Sequence, residues 1–138
     1  MGTLFIVSTP IGNLEDITFR AVKTLLAVDV ILCEDTRRTG RLLHELKQRF
    51  LLATGTSAIS EPGLISYYDQ IESQRLPEII QLLEANKNVA LVSDSGTPLI
   101  SDPGYKLVRE ARKRQIAVKV IPGATAAIAA LSVSGFPT

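Results

Sequence analysis

Short apolar runs alternate with helical patterns five times along this chain of 138 residues. Each run is too short for a helix and passes directly into turn-forming residues, which is typical of a buried strand. We expect the strands at residues 4–7, 28–33, 64–67, 89–93 and 117–121. Strands that alternate with helices in this way predict an α/β fold, a five-stranded and mainly parallel sheet with helices on both faces.

The carboxyl ends of parallel strands share one edge of the sheet, because right-handed crossovers return every strand in the same direction. Polar or glycine-containing turns should therefore meet at that edge, at residues 10–12, 34–36, 66–67, 94–97 and 122–124. Open α/β sheets bind small ligands at this edge. The sequence thus predicts a ligand site there.

The densest of these turns lies in VALVSDSGTPLISDPG, residues 89–104. Its apolar first half predicts a buried strand, and hydroxyl, carboxylate and turn-forming residues follow from Ser93 onward. Asp102 is predicted to cap the next helix, with Pro103 as the first helical residue. These residues are compatible with turning and capping alone, but so many polar groups in one stretch favour a ligand-binding loop.

Several function classes lose support from the composition. Neither GxGxxG nor GxxxxGK[ST] occurs, which disfavours dinucleotide and P-loop nucleotide sites. His44 is the single histidine and Cys33 the single cysteine, so the sequence predicts no metal site, no internal disulfide and no Ser-His-Asp hydrolase.

The location that we expect is the cytoplasm. A lone cysteine fits a reducing compartment, the amino terminus lacks a signal-peptide pattern, and no apolar run approaches the ~18 residues of a membrane span. The formal net charge is only +1, so any contact with nucleic acid requires a local basic patch.

One such patch follows the second predicted strand, in the segment CEDTRRT. Glu34 and Asp35 precede Arg37 and Arg38, and Arg41 extends the basic side. One interpretation is a solvated helix start that Asp35 helps to cap. The other places the carboxylates on a substrate hydroxyl and the arginines on phosphates.

Three further segments carry predictions. The basic residues among 109–114 favour a solvated helix face. Residues 51–63 are expected to form a loop. The uncharged, alanine-rich residues 124–133 predict an apolar helix, which must be buried against the sheet or against a surface outside this chain.

Four segments resemble the tetrapyrrole (precorrin) methylase superfamily, and in particular the amino-terminal half of those members that methylate ribosomal RNA. They are LFIVSTPIGNLEDITFRAV, CEDTRRT, VALVSDSGTPLISDPGYKLV and VIPGATAAIAALSVSGFPT. The resemblance covers residues 3–138 and implies methyl transfer from S-adenosylmethionine to the ribose 2′-hydroxyl of a cytidine in the 16S rRNA of the 30S subunit. A corrinoid or porphyrin methylase and a non-catalytic, phosphate-binding module stay open as alternatives.

The resemblance also implies a domain organisation. Residues 1–138 would form the amino-terminal methylase domain and one wall of a cleft, whose other wall is the family's second domain. Members of the family tend to be homodimers. The chain departs from the family where Tyr67 is followed by YDQIE in place of a histidine-containing motif, so a substrate role for those histidines is not carried over.

The site residues that the resemblance implies fall into three groups. Amides near Gly96 and Thr97 would bind the cofactor's carboxylate, and Ile11 and Ile100 would flank its apolar parts. The complete cofactor group is Pro10, Ile11, Gly12, Asp94, Gly96, Thr97, Ile100, Ser101, Asp102, Pro122, Gly123 and Ala124. The candidate general bases are Glu34 and Asp35, and the candidate RNA-binding residues are Arg37, Arg38 and Arg41.

Overall fold

The structure is a computed structural model that describes residues 1–54 and 61–137. The strands are β1 (Thr3–Val7), β2 (Val30–Cys33), β3 (Gly63–Ser66), β4 (Val89–Leu91) and β5 (Ala117–Ile121). The helices are α1 (Phe19–Ala27), α2 (Thr36–Thr54), α3 (Glu72–Glu84), α4 (Tyr105–Lys113) and α5 (Ala126–Val133). A 3₁₀ turn, Leu14–Asp16, precedes α1.

The five strands form one sheet in the order β3-β2-β4-β1-β5, and every neighbouring pair is parallel. Helices α1 and α2 pack on one face, against Val7 and Ile31. Helices α3 and α4 pack on the opposite face, against Leu4 and Ile6. The predicted α/β architecture is confirmed, and the sheet is wholly rather than mainly parallel.

Helix α2 is longer at both ends than the sequence predicts. It begins at Thr36 because the Oδ1 atom of Asp35 accepts hydrogen bonds from the amides of Arg37 (2.8 Å) and Arg38 (3.4 Å). The predicted capping role of Asp35 is confirmed. The helix then runs to Thr54, into the segment expected to be a loop, and residues 55–60 of that segment lie outside the described residues.

The start of α4 differs from the prediction that Asp102 caps it. The helix begins at Tyr105, and Pro103 lies before it. Gly104 precedes the first turn with φ 130°, and a Cβ atom there would lie 2.5 Å from Leu91 Cδ2. Only glycine fits this conformation and this space, so the helical backbone cannot start at Pro103.

Of the two surfaces expected to cover helix α5, the sheet is excluded by the structure. None of its residues is buried, and Ile128 and Val133 expose 65% and 85% of their surface. Burial against a surface outside this chain stays a prediction. No helix in the described ranges is both long and apolar enough to cross a membrane.

Candidate functional site

The loops after β1 and β4 are joined by backbone hydrogen bonds. The amide of Thr9 donates to the carbonyl of Gly96 (2.9 Å), and the amide of Gly96 donates back to Thr9 (3.1 Å). The hydroxyls of Ser8 and Thr97 lie 2.8 Å apart, and the Ser95 hydroxyl donates to the carbonyl of Pro10 (3.4 Å). Two of the predicted turns therefore form one rigid platform.

The loop after β5 joins the same platform through close backbone approach. A Cβ atom on Gly123 would lie 2.9 Å from Ser8 Cβ. Gly96 adopts φ 82°, and a Cβ atom there would lie 3.5 Å from Ile11 Cγ2 and 3.8 Å from the carbonyl oxygen of Ala124. Glycine at these two positions lets three loops meet at the carboxyl edge of the sheet, as the sequence predicts.

The turn after β2 reaches this platform through Asp94. An oxygen of the Asp94 carboxylate accepts a hydrogen bond from Arg38 (2.8 Å), and the Asp94 amide donates to Oε1 of Glu34 (3.2 Å). Asp94, predicted as a cofactor residue, is thus held between a candidate base and a candidate RNA-binding residue.

An open cleft of about 530 Å³ lies between this platform and α5. Its volume is within the ~300–1,000 Å³ range of small-molecule sites, and its surface is mostly apolar. The lining residues are Ile11, Ser95, Gly96, Thr97, Ile100, Asp102, Thr125, Ala126, Ala127 and Ile128. Five of the predicted cofactor residues are among them: Ile11, Gly96, Thr97, Ile100 and Asp102.

The other predicted cofactor residues lie around this cleft. Pro10, Gly12 and Asp94 line a smaller neighbouring cavity of about 190 Å³ together with Arg38. The remaining four, Ser101, Pro122, Gly123 and Ala124, are in the loops that border the cleft but are not among its lining residues.

The loop at the outer wall of the cleft has a strained backbone. Leu99 and Ser101 adopt φ values of 77° and 62°, in the left-handed region that residues other than glycine rarely occupy. Between them, Ile100 exposes 76% of its surface toward the opening. Each such residue costs about 1–2 kcal/mol, and strain of this kind clusters at ligand sites.

A buried carboxylate fixes the end of this strained loop. Oε1 of Glu72, a residue only 5% exposed, accepts hydrogen bonds from the amides of Gly104 (3.1 Å) and Lys106 (3.2 Å) and from the hydroxyl of Tyr67 (2.9 Å). Glu72 therefore caps α4 from a different element. Burial, together with the bond to Glu72, raises the pKa of Tyr67.

The family of the chain follows from its match to known sequences. The family model of tetrapyrrole (corrin/porphyrin) methylases matches residues 3–138. The chain belongs to this family. The family predicted from the sequence motifs is thereby confirmed.

The chain is similar to known proteins of two kinds. The ribosomal RNA small subunit methyltransferase I of Thermotoga maritima is 50% identical over 137 residues, which is 99% of this chain and 56% of that protein. A crystal structure of uroporphyrin-III C-methyltransferase from Thermus thermophilus matches with a TM-score of 0.67 and 25% identity, over 99% of this chain and 53% of that one. Another structure of this Thermus enzyme, complexed with S-adenosylhomocysteine, gives a TM-score of 0.61 at 20% identity. The chain spans about half the length of the relatives it matches.

The two candidate bases of this methylase chain are engaged in local hydrogen bonds. The amides of Arg37 and Arg38 hold the pKa of Asp35 below its ordinary value, because they bond to its charged form. Glu34 accepts the bond from the Asp94 amide. Neither carboxylate lines the larger cleft or the smaller cavity.

Sequence reasoning missed two parts of this candidate site. It predicts only burial for the first half of α5, yet Ala126, Ala127 and Ile128 form one wall of the cleft, and Thr125 caps that helix by accepting a bond from the Ile128 amide (3.3 Å). The small residues of GATAA are the signal for it. Glu72 gave no signal, because a single acidic residue in a helical pattern is ordinary.

Proposed function

We propose that this chain provides the S-adenosylmethionine-binding wall of a cytoplasmic enzyme that methylates the ribose 2′-hydroxyl of a cytidine in the 16S rRNA of the 30S subunit. The observation that carries the proposal is the cleft of about 530 Å³ at the carboxyl edge of the sheet, built from loops that hydrogen bonds and glycines hold together. The 50% identity to an rRNA small subunit methyltransferase supports the substrate class.

The residues of the cleft fit the cofactor. Ile11, Ile100 and Ile128 offer apolar surface to its adenine and methionine parts. The Gly96 amide, expected to bind the cofactor's carboxylate, already donates to Thr9 and is excluded from that role. Among the described residues, the Thr97 amide has no hydrogen-bond partner, and we assign the carboxylate contact to it.

S-adenosylmethionine held in this cleft would supply an electrophilic methyl group. The ribose oxygen would bond to the methyl carbon as the carbon–sulfur bond breaks, and S-adenosylhomocysteine would leave. The task of the protein is to align the two reactants and to accept the hydroxyl proton. Of the two candidate bases, Glu34 is better supported, because Asp35 is committed to capping α2 and its lowered pKa weakens it as a base. Glu34 also lies next to Asp94, whose loop builds the cleft.

The proposal is tested in a chimera that joins residues 1–138 to the carboxyl-terminal half of the Thermotoga maritima relative. It is supplied with S-adenosylmethionine carrying a tritiated methyl group and, in separate reactions, with undermethylated 30S subunits or with uroporphyrinogen III. We expect label in 16S rRNA, recovered as 2′-O-methylcytidine after digestion, and none in the tetrapyrrole.

Two other outcomes identify the alternatives. Label in the tetrapyrrole alone makes the chain part of a tetrapyrrole methylase, a function that the similarity to uroporphyrin-III C-methyltransferase favours. A folded chimera that labels neither substrate makes it a non-catalytic module.

A further inference from the structure

The exposed face of α4 carries four cations and one aromatic ring. Successive residues of a helix are separated by about 100°, which places this set within an arc of about 120°. Its members, called here the α4 basic face, are Tyr105, Lys106, Arg109, Arg112 and Lys113, and all five are exposed.

The one acidic residue of α4 itself, Glu110, is already paired with Arg114. Glu110 lies at the border of the arc and accepts a hydrogen bond from Arg114 (2.7 Å), which also binds Glu84 (2.9 Å). In the described part of the chain, Arg109, Arg112 and Lys113 form no ion pair with a carboxylate. Because the whole chain carries a net charge of only +1, this is a local concentration of positive charge.

Tyr105 gives the face more than charge. Tyr105 exposes 63% of its surface, and the guanidinium of Arg109 lies 5.5 Å from the centroid of its ring. A cation–π contact of this kind holds both groups in place. An exposed ring beside cations is the arrangement on which proteins stack an unpaired base while binding the adjacent phosphates.

The α4 basic face begins beside the cleft. Asp102 lines the cleft three residues before α4 starts, and Glu72 ties the intervening Gly104 to α3. A strand lying on α4 therefore leads toward the opening where Ile100 is exposed.

We infer that the α4 basic face binds the RNA strand next to the target nucleotide, with Lys106, Arg112 and Lys113 on phosphates and Tyr105 stacked on a base. The inference rests on the proposed function and names the surface by which that enzyme holds its RNA. The arginines at the start of α2 are less available to bind RNA, since Arg38 is bound to Asp94 and Arg37 lies 3.9 Å from Asp35.

The test measures binding of the 138-residue chain to 30S subunits and to a short fluorescein-labelled oligocytidylate RNA over a salt series. The double variant Arg112→Ala/Lys113→Ala should reduce the slope of log K against log salt by about 1.4, since each phosphate contact to a single strand contributes about 0.7. Its matched control is Arg20→Ala/Lys23→Ala, which removes the same charge from the exposed side of α1 on the opposite face of the sheet. The control should leave the slope unchanged.

The stacking contact has its own pair of variants. Tyr105→Ala should weaken binding roughly tenfold, whereas Tyr105→Phe should bind like the wild type. The inference is overturned if the α1 and α4 double variants have equal effects. It is also overturned if both double variants and Tyr105→Ala bind like the wild type. So does a chain that binds phosphatidylserine vesicles but neither RNA probe.

The two proposals fail separately. If the chimera methylates 30S subunits but the α4 variants bind RNA normally, the inference about the α4 basic face is wrong and the proposed function stands. If the chimera methylates only the tetrapyrrole, the proposed function is wrong. The RNA titration of the 138-residue chain then still tests whether the α4 basic face binds RNA.

Discussion

Glycine at position 96 is the residue on which the cleft depends most directly. Its φ of 82°, which other residues rarely adopt, lets the β4 loop turn beside Ile11 and Ala124. Gly96→Val places a β-branched side chain where such residues are strained, and the added bulk enters the cleft. We expect cofactor binding to be lost in the chimera, with a stability cost of about 1–2 kcal/mol.

Calorimetric titration with S-adenosylmethionine, run beside a thermal melt, measures both effects of Gly96→Val. Gly135→Val is the control, because Gly135 also has a positive φ (74°) but has no atom within 4 Å of the place that a Cβ would occupy, and it does not line the cleft. It should lose similar stability and keep its affinity. Wild-type affinity in Gly96→Val would contradict the site assignment.

Loss of Glu72 should also affect more than one part of the fold, because one oxygen accepts three hydrogen bonds, one from the Tyr67 hydroxyl and two from amides at the start of α4. Glu72→Ala leaves those donors unsatisfied in the interior, and we expect a loss of about 2–4 kcal/mol in the free energy of unfolding. Tyr67→Phe removes one bond and should cost about 1 kcal/mol. Urea unfolding measures both. Equal costs for the two variants would show that Glu72 does not act through the α4 amides.

Tyr67 also predicts a pH dependence. Its pKa in the folded chain is raised above the ordinary value of 10.0. At a pH between the ordinary pKa and the raised one, the unfolded chain has lost a proton that the folded chain retains. Stability from this group is therefore complete below pH 10 and falls as the pH rises above it. Tyr67→Phe should show a shallower decline in that range, and identical slopes would contradict the assigned environment.

At the scale of elements, the strands and the edge that they form could be predicted because apolar runs and turns are local signals. The ends of a helix could not be predicted where a group distant in the sequence determines the residue at which the helix begins. Asp35 caps α2 from the adjacent position and is predictable, whereas Glu72 caps α4 from 32 residues away and is not. The role of Ala126 and its neighbours escapes prediction because apolar composition does not distinguish a cleft wall from an interior.

The amino-terminal turn of α2 carries the next prediction. If Arg37 and Arg38 hold RNA phosphates, Arg37→Ala/Arg38→Ala should bind 30S subunits more weakly and with a shallower salt dependence. The effect should be smaller than that of Arg112→Ala/Lys113→Ala, because Arg38 already neutralises Asp94. Titration over the same salt series compares the two variants directly. An unchanged slope would leave these arginines as a solvated helix start.

At the scale of the whole molecule, the described residues form a sheet with helices on both faces and one apolar helix that is exposed. Helices α1 to α4 cover the two faces, and α5 stands beside the cleft with its apolar residues in solvent. The sequence predicts that this segment is covered by a partner surface, but it does not identify that partner. The relatives are about twice as long as this chain, and we propose that a further domain or a second copy of the chain covers α5.

The last prediction concerns the chain of 138 residues by itself. Exposed apolar patches larger than a few hundred Å² are uncommon on monomers, and Ile128, Leu131 and Val133 expose 65%, 42% and 85% of their surface on one short helix. We expect the chain to self-associate through α5, as a two-fold dimer. Leu131→Lys/Val133→Lys should make it monomeric, whereas Phe19→Lys, at a comparably exposed position on α1, should not.

The same chain should bind S-adenosylmethionine weakly and transfer no methyl group. Small-molecule sites bury ~70–90% of a drug-sized ligand, and this open cleft would leave much of the cofactor in water. Sedimentation at several concentrations, in parallel with cofactor titration, measures association and affinity in the same samples. Because α5 is the predicted association surface and also a wall of the cleft, the lysine variant should not gain affinity when it becomes monomeric. A strict monomer that binds the cofactor at micromolar concentration would show that this one wall is sufficient.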